Sequence, residues 1–351
     1  MHHHLCTAPG PVTLQLRAAP PTGGGRPWLG RLLAPLPTVL LLLTLGHGGT
    51  VVAAPRIQVL LSDTTVAYRE VDAGLRRALE VGAPGHVELE TQALAALPGG
   101  LQDLLAQGPT LIVPVGLRAT AVALRDAGDV PVLSLLVPEF DYTALLDDMG
   151  NMGRTAAAHT RSAVYLDQPL GRRLDLLQLL LPDARRVGAL AGAQSAAEAE
   201  RLTALARKRG LEPVILAVPE HSNPIRPLTQ LLERVDVLLA LPDPTVFNRS
   251  SLQAILLTTY RNRVPVIGFS QAYVRAGALA AVYSTASQIG TQAGEWIAEL
   301  ADRGQWALGE PRYPVYYSVS VNPQVAQSLA LPVLNEAALF EALHDLEPHR
   351  P

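Results

Sequence analysis

Cysteine occurs once, at Cys6. That excludes a disulfide framework and a cysteine-based zinc site. Lysine also occurs once, at Lys208, so nearly every basic residue is arginine. The 28 Lys and Arg stand against 31 Asp and Glu, for a net charge of -3. No basic footprint results, which argues against a general nucleic-acid binder. Beyond the N-terminal segment the histidines are His86, His159, His221, His344 and His349. No two have H-x-H or H-x-x-x-H spacing, so no local metal motif exists and no metal is expected. No G-x-G-x-x-G follows a strand and no G-x-x-x-x-G-K-[ST] occurs, so dinucleotide and P-loop cofactors lose support. Gly304 to Gly309 has the glycine spacing of the latter but lacks its lysine.

What is present is apolar: 48% of the 351 residues are hydrophobic, too many for a disordered chain. The length allows roughly two domains of about 150 residues. Arg26 and Arg31 precede an apolar run from Leu32 to Leu45, and Val51-Val52-Ala53-Ala54-Pro55 follows. This is the order of a secretory signal peptide, with cleavage expected after Ala53. The run falls short of the roughly 20 apolar residues that span a bilayer. The exported chain then carries no cysteine, which suits an oxidising compartment.

The remainder alternates strand and helix. Ile57–Leu61, His86–Glu90, Leu111–Val115 and Pro131–Leu136 read as strands, with Tyr68, Val71, Leu75 and Leu79 at helical spacing between the first two. A second series starts near Arg161, with strands at 186–191, 213–218, 235–241, 264–269 and 278–283, and a last one at 313–321. Ser195 reads as the N-cap of a helix over 196–209. The fold class is therefore α/β, with two lobes of parallel sheet flanked by helices. Ligands of such sheets meet the carboxyl ends of strands. Those ends are Ser62-Asp63-Thr64, Gly116, Pro138-Glu139, Gly192 to Ser195, Pro242-Asp243 and Phe269-Ser270.

One catalytic pattern is present. Gly268-Phe269-Ser270-Gln271-Ala272 follows a strand and opens a helix, the setting of a nucleophile elbow. A triad needs Asp and His downstream, and the sequence supplies only Asp302 with His344 or His349. No His-Gly-Gly run offers an oxyanion hole. Ser270 as a helix cap is the alternative, and the reading is not enzymatic.

From Ser162 to Leu331 the chain resembles bacterial ABC-transporter substrate-binding proteins of the tryptophan/tyrosine-type group. The resemblance rests on Val164-Tyr165-Leu166-Asp167-Gln168-Pro169, Leu181-Pro182-Asp183-Ala184-Arg185-Arg186-Val187-Gly188 and Leu239-Ala240-Leu241-Pro242-Asp243-Pro244 with Val246-Phe247-Asn248. It continues through Val264-Pro265-Val266-Ile267-Gly268-Phe269-Ser270, Tyr273-Val274-Arg275-Ala276-Gly277-Ala278 and Ser320-Val321-Asn322. It implies a type I periplasmic-binding fold, in which two lobes joined by a hinge close over a small polar or aromatic solute. It also implies ABC permease subunits as partners, a periplasmic location and a monomer. An orphan or sensory binder on the same fold is the alternative.

The resemblance further implies three crossings between lobes, near Ala163, Ser284 and Arg312. Residues 1–53 are then leader and extension, 54–162 with 285–312 lobe one, 163–284 with 313–335 lobe two, and 336–351 a C-terminal helix and tail. The ligand-binding candidates are Ser62, Asp63, Gly116 and Arg118 in lobe one. In lobe two they are Asp167, Gln168, Ser195, Asp243, Asn248, Phe269, Ser270 and Tyr273. The family pattern has Asp-Pro and a Gly after the fourth strand, where this chain has Pro138-Glu139-Phe140-Asp141-Tyr142. Either Glu139 or Asp141 meets a cationic group on the solute, or the segment is a solvated acidic loop.

Overall fold

Runs such as Leu111–Val115, apolar at nearly every position, cannot alternate an apolar with a wet face. They belong in a sheet covered on both sides. The structure, a computed structural model describing residues 54–150, 160–332 and 335–347, places all five of these residues out of solvent. The predicted leader and its cleavage after Ala53 lie outside the described residues, as does the end of the tail. No helix among the described residues is long and apolar enough to cross a membrane.

The first sheet contains β1 (Arg56–Leu61), β2 (Glu88–Ala93), β3 (Leu111–Val115), β4 (Val132–Val137) and β5 (Arg161–Tyr165). Their order is β2-β1-β3-β4-β5 and every pairing is parallel. The second contains β6 (Arg186–Ala191), β7 (Glu212–Ala217), β8 (Val237–Leu239), β9 (Val266–Gly268), β10 (Ala280–Tyr283) and β11 (Ser318–Val321). Its order is β11-β10-β9-β8-β6-β7. Without β11, the second lobe repeats the strand order of the first. β11 runs antiparallel to β10, so the second sheet is parallel-dominated but not wholly parallel. It begins at Ser318, five residues later than the sequence pattern suggests, because Tyr313 to Tyr317 serve as a crossing instead.

Helices cover both faces of each sheet. In lobe one, helices Val66–Gly82 and Ala286–Arg303 share a core with Val59, Val113 and Leu135. They touch backbone to backbone. A Cβ on Gly74 would lie 2.3 Å from the Ser287 carbonyl oxygen, and one on Gly290 would lie 2.1 Å from that of Val71. The opposite face packs Leu104, Ala123 and Tyr142 from three further helices. In lobe two, helix Glu336–Leu346 inserts Leu339 and Leu343 beside Leu174 and Leu177. The C-terminal helix is thus part of the lobe-two core and not a separate appendage.

The chain passes between the lobes three times. β5 pairs with β4 as far as Tyr165, so the first crossing follows Tyr165, two residues past Ala163. The second runs through Ser284–Thr285, where Thr285 and Gln288 form a capping box for the helix that follows. The third leaves Arg312, which bridges to Val164 of β5. Gln168 Nε2 donates to Ser284 Oγ at 2.8 Å, and Ser284 Oγ donates to the Tyr316 carbonyl at 2.5 Å. Arg172 donates to both Gln168 Oε1 and the Pro314 carbonyl, and its guanidinium lies 4.0 Å from the Tyr317 ring centre. One buried polar network therefore joins all three crossings.

Candidate functional site

The carboxyl ends of β1 and β3 meet where the strand order of the first sheet reverses. Gly116 has φ +86°, and a Cβ there would meet Tyr68 Oη at 2.7 Å and Ser62 Oγ at 2.9 Å. Only glycine fits that turn. Because Gly116 offers no side chain to cap helix Leu117–Asp126, Ser62 Oγ reaches across and accepts from Ala119 N at 2.9 Å. Ser62 is therefore a buried cap. Asp63 is exposed and accepts from Thr65 N at 2.8 Å. Arg118 is exposed at the start of that helix.

The corresponding corner of lobe two joins β6 to β8. Ser195 does not cap its own helix, Ala196–Lys208. Its hydroxyl donates to Asp243 Oδ2 at 2.8 Å and accepts from Gly192 N at 3.2 Å. Asp243, only 2% exposed, also accepts from Ser195 N and from Thr245 N. A carboxylate held by two N–H groups and a hydroxyl is consumed internally. Asn248 likewise turns on its own loop, with Oδ1 accepting from Ser250 and Ser251. Phe269 and Tyr273 pack with Phe247, the first two rings 4.2 Å apart, and burial pushes the Tyr273 phenol up to about 12. Ser270 makes no side-chain cap bond. Of its candidate triad partners, Asp302 lies in the lobe-one helix Ala286–Arg303, His344 stacks on Phe340, and His349 lies outside the described residues.

A cavity of about 370 Å³ lies between the lobes beside the hinge. Lobe one contributes Pro138, Glu139, Phe140 and Thr143, from the end of β4. Lobe two contributes Gln194, Glu198, Glu200, Arg201 and Pro242, and the crossings add Asp167, Gln168 and Tyr313. The volume suits a small molecule. A larger hollow of about 530 Å³ runs along the carboxyl ends of β6 and β7, but all its walls belong to lobe two. Lobe movement can enclose a solute only in the first. Of the twelve candidate residues, Asp167 and Gln168 line this cavity and the other ten do not.

The local cause of its lobe-one wall is a bulge. The β4–β5 register shifts between Leu135 and Val137, and Leu136 between them has φ +52°. A bulge at a strand end re-aims the chain that leaves it. Here that chain is helix Glu139–Asp148, which replaces the solvated acidic loop considered above. Asp167 Oδ2 accepts from Glu139 N at 2.6 Å, completing the helix start.

Charge in the cavity is mostly negative. Arg201 donates to Glu139 through Nη1 at 2.6 Å and Nη2 at 2.9 Å, and Tyr313 Oη adds a third bond at 2.6 Å. Burial alone would raise the Glu139 carboxyl, but the bonds from Arg201 and Tyr313 outweigh it and hold the group low. Burial raises Asp167 and Glu198, despite the nearby Arg173. Arg173, 2% exposed, donates to Glu198 Oε1 at 2.9 Å and to the Ala240 carbonyl. Sequence reading missed Arg201, Tyr313 and Glu198. Only the carboxyl end of β4 was a visible signal, and it pointed to Glu139. Among the described residues no group of three or more His, Cys, Asp or Glu side chains is arranged to hold a metal ion.

A family model described as ABC transporter substrate binding protein matches residues 92–329. A curated tyrosine-binding protein of Clostridioides difficile (strain R20291) is 22% identical over 195 residues, 55% of this chain and 54% of the relative. The chain thus spans about half the length of the curated relative it matches. Among solved structures, the ligand-free, open form of a Clostridium difficile substrate-binding protein with adhesive properties superimposes with TM-score 0.65. It is 17% identical over 80% of this chain and 96% of that one. An ABC domain from Streptococcus pneumonia, in complex with L-Trp, gives TM-score 0.55 at 19% identity, covering 83% of this chain and 98% of that one. At these identities the likeness establishes the two-lobed α/β fold.

Proposed function

Because this chain belongs to the ABC transporter substrate-binding protein family, we propose that it is the solute-capturing component of an importer. In this reading a small polar or aromatic solute enters between the lobes and the hinge closes over it. The closed form, as a monomer outside the membrane, then docks on permease subunits. The observation that carries the reading is the cavity of about 370 Å³, whose walls come from both lobes and from the crossings. A solute touching both walls binds the closed form better than the open one, and that difference in affinity drives closure. The hydrogen-bonded hinge of Gln168, Ser284 and Tyr316 supports a movement in which the lobes stay rigid. The relatives whose names mention tyrosine and L-Trp support a solute with an amine group and a ring. Transport, not catalysis, is the proposed role.

Native mass spectrometry of the purified exported chain, before and after partial unfolding, tests this reading. A small mass lost on unfolding is the expected result. A solute-free chain that also shows no thermal shift with amino acids, amines, nucleobases or vitamins would overturn it, since a bound solute raises the melting point by mass action.

A further inference from the structure

Resting on that reading, we propose that the interlobe cavity selects an organic cation without a carboxylate, seated against Asp167 and the ring of Phe140. Arg201 is the one basic residue among the described residues that line the cavity, and both its terminal nitrogens are engaged by Glu139. A solute carboxylate therefore has to compete with Glu139 for the one guanidinium. A solute cation finds several partners. Asp167 Oδ2 accepts from Glu139 N, its carboxylate also takes a bond from its own backbone N–H with the Arg173 charge nearby, and among the described residues it forms no salt bridge.

Glu200 lines the same cavity, exposed and without a partner among the described residues. Glu198 is a third carboxylate, already matched by Arg173. The aromatic groups fit the same chemistry. Phe140 is 44% exposed at the cavity, and Tyr313 lies beside it. An ammonium near a carboxylate and over an aromatic face is attracted by both. Burial holds the Asp167 carboxyl above its usual range, and a bound cation would offset that desolvation.

Matched pairs test the assignment. The purified chain is titrated calorimetrically with tyramine and L-tyrosine, tryptamine and L-tryptophan, putrescine and ornithine, choline and glycine betaine. The expected result is that at least one member lacking the carboxylate binds tenfold or more tightly than its partner. Asp167→Asn, which keeps an oxygen for Glu139 N, should weaken that binding at least tenfold. Glu200→Gln, at an exposed position, should weaken it two- to threefold. Tighter binding of the carboxylated member in every pair that binds overturns the cation assignment and leaves solute capture standing. Unchanged affinity in both variants also overturns it. If no compound binds and native mass spectrometry finds no bound solute, the proposed function falls with it.

Discussion

The Arg201 guanidinium grips the Glu139 carboxylate with two hydrogen bonds, and so ties a lobe-two helix to the first residue of a lobe-one helix. Arg201 is 47% exposed and Glu139 25%, so solvent screening limits the pair to about 0.5–1 kcal/mol. That is little for global stability but enough to bias a hinge whose two states differ by a few kcal/mol. Arg201→Gln should leave the melting temperature within a few degrees of wild type. It should raise the radius of gyration of the ligand-free protein in solution scattering. An unchanged scattering curve would show that the pair follows closure without favouring it.

The pH response of this tie has a definite sign. The Glu139 carboxyl is held below its ordinary value of about 4.3. Its contribution is complete above that value and is lost as pH falls through the lower, folded value. Asp167 and Glu198 act oppositely. Burial raises them, so their protonated forms favour the fold, and stability is gained as pH falls from their raised values toward about 4. Denaturant titrations at a series of pH values should therefore find a loss below about pH 4 that Glu139→Gln diminishes. An acid limb identical in the variant would assign the loss to other groups.

The sheets were legible where a strand is a short apolar run closed by Ser, Gly or Pro, as in Ile57–Leu61 before Ser62 and Leu111–Val115 before Gly116, and least so at β2, whose sequence is mostly polar. The strand ends were legible for the same reason. What each end does was not. Ser195 meets Asp243 across 48 residues, and Glu139 meets Arg201 across 62. Pairings at that separation depend on how two elements dock, which local pattern does not encode. The positive φ of Leu136 likewise has no signal in a leucine, because β-sheet register imposes it.

Asp243 illustrates the consequence. Sequence reading gives it to the ligand, whereas the folded chain spends it on Ser195 N at 3.0 Å, Ser195 Oγ at 2.8 Å and Thr245 N at 2.8 Å. Asp243→Ala leaves three donors in a buried corner without their acceptor. Each unsatisfied buried group costs about 1–3 kcal/mol where water cannot replace the lost partner. Urea unfolding should show a loss of at least that size. Wild-type stability combined with lost solute binding would return Asp243 to the site.

Gly290 sets the spacing of the helix pair that anchors lobe one. Glycine to alanine inside a helix ordinarily gains up to about 1 kcal/mol. Here the new Cβ would stand 2.1 Å from the Val71 carbonyl oxygen and 3.0 Å from Leu75 N, both backbone atoms of the facing helix. Neither can turn aside as a side chain would, so the helices must separate and Val71, Leu75 and Ile289 lose packing. Overpacking of this kind costs about 1–3 kcal/mol or more. Gly171, in helix Leu170–Leu180, is the control, since its Cβ would meet only the flexible end of Arg209 at 3.2 Å. Gly290→Ala should lower the denaturation midpoint clearly while Gly171→Ala leaves it nearly unchanged. Equal midpoints for the two variants would mean that the helices are not held in backbone contact.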